Sequence, residues 1–415
     1  MKLTEDDLYR HSSQYRNWSF TPAQLTLQRE KTNAQAIERI KAAYARRAKA
    51  LDVASASESE RANTPGLDNG NGAVTGSNTP VRVAEKEREY MTVAEEKQLV
   101  DKFCETAMKL GNFLKQKPDV TATAIQFVRR FYLYNSVMTY DGTDISKAAM
   151  FLTLKIENGT KAGTVDDYAA KIPKTTSERV RAPEFTIVQA LRFNFDVRHP
   201  FRGLKGAQLE LADMVKGTYV PLQHDERSAE ELQVQMLQML GGTEEAAERR
   251  LGNVYRHAKD ILSMGAQMTD AYFLYTPSQI MLAAHLLADA PLTTLYLSTK
   301  IPPTSPVSAK LFATLRACAD LLSSHRSFTP MPLPPNEAYA WADTDPAAMK
   351  PLIAKLKLCR DPDKRDLVKL SQAQKRDAVR DGELEESKAK KRKLNREKAE
   401  KEADAFWGPE LPKAS

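Results

Sequence analysis

Segment after segment of this chain places its apolar residues at helical spacing, and none sustains the alternation that a strand requires. Behind Thr92, for example, Val100, Phe103, Cys104, Ala107, Leu110 and Leu114 follow the three- and four-residue steps of one helix face. Thr92 with Glu95 three residues later is a capping box that starts this helix. Pro118 opens a second helix, with Ile125, Val128, Phe131, Tyr132 and Asn135 on one side. A third spans Ile145–Glu157, a short fourth begins at Thr164, and a fifth covers Ser177–Phe195. Five helices joined by short connections describe a compact bundle.

The pattern repeats after His199-Pro200 breaks the chain. Helices are expected at Gly206–Lys216 and Ser228–Leu240, then one long helix over Glu244–Tyr275. Thr276, Pro277 and Gln279 cap the next helix, and Leu292–Ser298 and Pro306–Ser323 complete the group. Ahead of the first bundle, Thr21–Leu51 reads as one helix with Leu25, Ile37, Ile40 and Tyr44 as a sparse stripe. A further helix is expected near Ala347–Cys359. The expected fold is all-α, two five-helix repeats flanked by N- and C-terminal helices.

Composition sets the boundaries. Residues 1–51 form an N-terminal segment and helix. Residues 52–84, with Gly66, Gly70, Gly72 and Gly76, read as a flexible linker or insertion. The first bundle then occupies 85–200 and the second 201–327. A proline-rich stretch and helix follow at 328–360, and 361–415 reads as a charged, disordered basic tail. The net charge is +7, and within that tail the short run Lys388–Lys398 holds seven Lys/Arg residues against one acid, a local balance of +6. Lys388, Lys390, Lys391, Arg392 and Lys393 are a candidate nuclear address. A bulk so close to neutral does not read as a specific nucleic-acid-binding surface.

Motifs of catalysis are missing: there is no phosphate loop, no GxGxxG, no GxSxG and no HExxH. The cysteines Cys104, Cys318 and Cys359 form no CxxC pair, and the six histidines are scattered singly, so no metal site, cofactor or disulfide framework is expected. The opening MKLTEDDLYRH has no apolar core, and no run of about 18 apolar residues occurs, so neither a secretory signal nor a membrane span is expected. These features favour a protein-binding module over an enzyme.

Two charges fall in phase with apolar neighbours. Lys155 shares the face of Ala148, Phe151 and Leu152; Glu184 precedes Ile187, Val188 and Leu191 at helical spacing. A charge on an apolar face is costly unless it is paired or stands at a rim. Each can snorkel into water from the end of its stripe; alternatively, the two pair at a groove that binds another protein.

At these residues the chain resembles the cyclin family. RRFYLYNSVMTY, AAMFLTLKIEN and an acid followed by a stripe ending LRFNF resemble the first cyclin box. MTDAYFLYTPSQI (Met268–Ile280) is a near match to a second-repeat segment of the cyclins that serve the CDK-activating kinase, and SSQYRNWSFT (Ser12–Thr21) resembles the stretch that opens them. The resemblance implies two cyclin-box repeats. It implies that Lys155 and Glu184 meet the C-helix of a cyclin-dependent kinase, with Phe151, Leu152 and Ile187 packed around that helix. All catalytic atoms would belong to the kinase. The implied partners are a CDK-activating-type kinase, a RING-finger assembly factor and the core of transcription factor IIH. The implied targets are the RNA polymerase II C-terminal domain and other kinases' activation loops, and the implied location is nuclear. Two departures stand out: Asn158 replaces an acid of the lysine motif, and the Met-Arg-Ala-Ile-Leu substrate-docking patch is missing from Thr92–Leu114. The alternatives are another transcriptional cyclin of the Mediator type and a TFIIB-like DNA-binding factor, although the latter would be expected to start with a zinc ribbon.

Overall fold

A computed structural model of the chain describes residues 9–61, 89–158, 163–302, 304–326, 328, 345–374 and 376–377. Residues 1–365 and 366–415 form separate compact units. Every regular element among the described residues is a helix.

In the first unit, α1 (Ser13–Trp18) and α2 (Pro22–Arg61) precede the first bundle. That bundle comprises α3 (Val93–Phe113), α4 (Pro118–Tyr134), α5 (Gly142–Asn158), α6 (Val165–Lys171) and α7 (Ser177–Ala190). The second group is α8 (Phe201–Val215), α9 (Ala229–Leu240), α10 (Glu244–Ser263), α11 (Gly265–Met268), α12 (Ala271–Leu274), α13 (Pro277–Ala288), α14 (Ala290–Ser298) and α15 (Pro306–Ser323). α16 (Pro346–Leu358) follows and packs on α3.

The two groups share a packing plan. In the first, α5 lies against α3, α4 and α7; in the second, α13 lies against α8, α10 and α15 in the same order. This is the duplicated all-α architecture expected from the sequence. The second group adds α9, which packs on α8 and α10. Capping places many of the helix starts: Thr92–Glu95, Ser228–Glu231 and Thr276–Gln279 all close reciprocal capping boxes.

Four expectations need correcting. The first helix does not stop at Leu51 but runs on to Arg61, because no glycine or proline occurs before Pro65 to end it. Of the expected linker, residues 52–61 are therefore helical and 62–84 lie outside the described residues. The single helix Glu244–Tyr275 is instead broken into α10, α11 and α12. A Cβ at Gly265 would come within 3.0 Å of the Leu322 carbonyl oxygen, and Thr269 is extended. The fifth helix ends at Ala190, short of Phe195, because Arg192 and Phe193 both turn left-handed, at φ 54° and 58°. Finally, the tail does not begin at residue 361. The Asp361 carboxylate is 1% exposed and lies 3.5 Å from Arg39, and its backbone N–H donates to the Met138 carbonyl at 2.9 Å. Asp363 pairs with Arg46 at 2.8 Å and Arg47 at 3.1 Å. In the second unit, residues 367–374 are helical. Residue 375 and residues 378–415, Lys388, Lys390, Lys391, Arg392 and Lys393 included, lie outside the described residues.

The sequence placed one apolar face on α4; in the structure every residue from Val120 to Leu133 is buried. Its polar side chains consequently need internal partners, and Arg129 finds them across the two repeats. Its guanidinium meets Asp101 at 3.0 Å and Asp270 at 2.8 Å and donates to the Met268 carbonyl at 3.2 Å. Asp270 also takes two bonds from Arg29 of α2, at 2.6 and 2.9 Å, and stands 3.4 Å from Lys97. Burial alone would raise the Asp270 pKa. The Arg29 hydrogen bonds and the Arg129 charge outweigh it and hold the carboxyl well below the usual range.

Glu96 lies beside this cluster under the opposite influence. It accepts hydrogen bonds from the Ser136 hydroxyl and the Asn33 side chain, yet burial pushes its pKa up to about 7. The folded chain thus holds a proton that the unfolded chain releases near pH 4.5. The stabilising contribution is complete below that pH and is lost as pH rises through 7. Urea unfolding should show stability from this group falling by at most about 3 kcal/mol over that window. Glu96→Gln should flatten that slope, and equal slopes in the two chains would contradict the assignment.

Candidate partner-binding site

The two charges singled out in the sequence lie on adjacent helices. Lys155 occupies the last turn of α5, and Glu184 lies past the middle of α7, one residue after Pro183. The packing of α5 on α7 brings the two side chains together as an ion pair, Lys155 Nζ to Glu184 Oε1, although 29 residues separate them in sequence. The lysine side chain is 44% exposed and the glutamate 20%. The pair therefore sits at a rim, where its desolvation cost is small.

Each member retains bonding capacity. An ammonium carries three donors and a carboxylate about four acceptor sites, so one mutual bond satisfies neither fully. Lys155 Nζ also lies 5.3 Å from the centre of the Phe151 ring, within range of a cation–π attraction. The arrangement can accept a backbone that offers both carbonyl and N–H groups, as a helix terminus does.

The apolar neighbours are distributed differently from expectation. Phe151, Leu152 and Ile187 are all buried, at 4%, 4% and 0% exposure. The Phe151 ring packs on Tyr168 at 5.0 Å, and Leu152 and Ile187 belong to the main core of the first bundle. They support the ion pair from beneath and leave little surface for another chain. Exposed apolar side chains next to the pair in sequence are Ile156 at 39% and Phe185 at 63%; Phe193, at 64%, is also exposed but lies past the end of α7.

The sequence pattern put Phe193 inside the fifth helix, whereas it lies past that helix's end at Ala190. Arg192 and Phe193 adopt consecutive left-handed conformations, each costing about 1–2 kcal/mol for a non-glycine residue. The turn is held by Asn194 Nδ2, which donates to the Arg192 carbonyl at 2.8 Å. The Arg192 guanidinium lies 4.9 Å from the Tyr134 ring centre and 6.0 Å from that of Trp18. The N-terminal α1 thereby supports the turn that exposes Phe193.

His285 is a satisfied core residue: it is 2% exposed, shares a 2.7 Å hydrogen bond with Thr293, and burial lowers its pKa to about 4. No group of three or more His, Cys, Asp or Glu side chains among the described residues is arranged to hold a metal ion.

Comparison with known proteins places this geometry in context. Residues 199–323 match the family model described as the cyclin C-terminal domain. The chain is 32% identical over 301 residues to Cyclin CCL1 of Saccharomyces cerevisiae, spanning 72% of this chain and 63% of that protein. It is 26% identical over 312 residues to Cyclin mcs2 of Schizosaccharomyces pombe, spanning 75% of this chain and 79% of the relative. Among solved structures, it is similar to a chain of the CAK complex of Chaetomium thermophilum bound to ATP-gamma-S. The identity is 32% and the TM-score 0.66, with 92% of this chain and 98% of that one covered. A chain of the yeast TFIIK (Kin28/Ccl1/Tfb3) complex matches at 28% identity and a TM-score of 0.50, covering 76% of this chain and all of its own.

Proposed function

The chain belongs to the cyclin family, within its cyclin H group, and from that premise we propose that it is the regulatory subunit of a CDK-activating kinase. The observation that carries this reading is the Lys155–Glu184 pair at the rim between α5 and α7, with exposed Ile156 and Phe185 next to its members in sequence. The pair takes the terminal backbone of the kinase's C-helix, while the flanking apolar residues cover the helix's side. Phe151, Leu152 and Ile187 act from below by fixing the two helices.

The action is a population shift. A cyclin that binds the inward C-helix more tightly than the outward one stabilises the inward state by that difference in affinity. The inward helix then completes the kinase's own Lys–Glu pair and metal site. Catalytic atoms belong to the kinase, and this chain supplies binding energy.

The CAK and TFIIK complexes among its structural relatives support a second partner, a RING-finger assembly factor, and membership of transcription factor IIH. The proposed targets are the C-terminal repeats of RNA polymerase II and the activation loops of other cyclin-dependent kinases. The proposed location is nuclear, with Lys388, Lys390, Lys391, Arg392 and Lys393 as its address.

The test adds purified chain to the isolated kinase and measures phosphorylation of a C-terminal-repeat peptide. The expected result is stimulation of at least about tenfold, since even a partial population shift of an inactive kinase gives that factor. A kinase whose rate is unchanged by saturating chain would contradict the proposal.

A further inference from the structure

A directed chain of hydrogen bonds crosses between the repeats and ends on α5. It starts at an acceptor that cannot donate, the Leu262 carbonyl, which receives Gln267 Nε2 at 3.3 Å. That fixes the Gln267 amide, whose Oε1 accepts from Gln126 Nε2 at 2.9 Å and whose Nε2 also donates to the Tyr272 hydroxyl at 2.7 Å. The hydroxyl must then donate onward, and the acceptor within reach is His199 Nδ1 at 2.9 Å. An imidazole that accepts at Nδ1 carries its proton on Nε2 when neutral. Nε2 lies 2.9 Å from the Thr123 hydroxyl and donates to it. The Thr123 hydroxyl is left with its single proton, which it shares between the Asp119 carbonyl at 3.1 Å and Glu157 Oε1 at 3.4 Å.

Glu157 lies two residues beyond Lys155 in the last turn of α5. We propose that His199 is a positioning residue: as the neutral Nε2–H tautomer it passes the order of the inter-repeat interface, through Thr123, to Glu157 and the partner-binding end of α5. This rests on the kinase reading above. Protonation would put a second N–H against the Tyr272 hydroxyl and break the direction of the chain. Burial, helped by the Arg130 charge, lowers the His199 pKa to about 3, so the neutral form persists at ordinary pH. The interface is itself rigid at this point, because Gln126, Gln267 and Thr123 are each 1% exposed and Tyr272 is 3% exposed. The linker holding His199 is pinned on its other side, where the Arg198 N–H donates to Gln14 Oε1 at 2.6 Å.

The experiment is a double-substitution cycle read as kinase affinity, with thermal unfolding recorded alongside. His199→Leu should weaken binding about tenfold, the scale of a lost buried hydrogen bond. Combining it with Glu157→Ala should be no worse than the more severe single change. His199→Gln offers an acceptor to Tyr272 and a donor to Thr123, and should bind within about twofold of wild type. If His199→Leu does not fold, Thr123→Val cuts the chain one step later and replaces it in the cycle. Multiplying effects of the two single changes, or a His199→Gln chain as weak as His199→Leu, would overturn the positioning role while leaving the kinase reading intact. A wild-type chain without measurable kinase affinity would overturn both.

Discussion

Replacing Asp270 with alanine is expected to destabilise the folded chain by about 3–5 kcal/mol, the cost of stranding buried charges that have lost their partner. Asp270 receives Arg29 from α2, Arg129 from α4 and Lys97 from α3, and it belongs to the junction between α11 and α12. Arg129 is 2% exposed, so its charge cannot turn to water when the carboxylate is removed. Asp101 still pairs with Arg129 at 3.0 Å, but is not enough to balance both arginines. The loss would be read as a shift in the urea midpoint. Asp270→Asn should recover only part of it, because an amide keeps an acceptor but not the charge. An alanine variant within about 0.5 kcal/mol of wild type would place Asp270 with ordinary surface residues and refute the stabilising role of this charged cluster.

The second large effect concerns binding and leaves the fold alone. Lys155→Glu combined with Glu184→Lys exchanges the charges but keeps an opposite pair in the same place. The exchange should therefore cost little stability, since a pair of this exposure is worth about 0–1 kcal/mol to the fold. For a partner the change is complete: carbonyl acceptors now meet a carboxylate, and N–H donors meet an ammonium. Like groups facing each other across an interface cost several kcal/mol, so affinity should fall by about a hundredfold or more. Circular dichroism should remain helical. Either single change would be a poorer probe, because it sets two like charges side by side within the chain.

How far the sequence foretold these features depended on whether the cause was local. Thr92 with Glu95, Thr276 with Gln279, and Pro306 at a first turn mark helix starts through bonds to their own neighbours, and each falls where it was expected. Lys155 and Glu184 were legible for a related reason: a charge in phase with an apolar stripe breaks a local pattern, and it signals its own exception. The break at Met264 had no such signal: the backbone leaves helical geometry there, and the next residue, Gly265, has no room for a Cβ beside the Leu322 carbonyl on another helix. Likewise, nothing near Arg129 in sequence announces Asp270, 141 residues away. His199 was legible as a chain break before Pro200, but its place between Tyr272 and Thr123 exists only once both repeats have packed. The burial of the apolar neighbours was hidden from the sequence for the same reason. Phe151, Leu152 and Ile187 share the helix faces of the charged pair, but those faces turn inward, whereas Phe193 is presented by a left-handed turn that no periodicity encodes.

The proposed grip on a kinase runs through the Lys155–Glu184 rim. The measurement that tests it most directly is a calorimetric titration of the purified kinase into wild-type chain and into the charge-exchanged chain, both shown to be folded. Saturable one-to-one binding is expected for the first and at least about hundredfold weaker binding for the second. Equal affinities in the two titrations would contradict it.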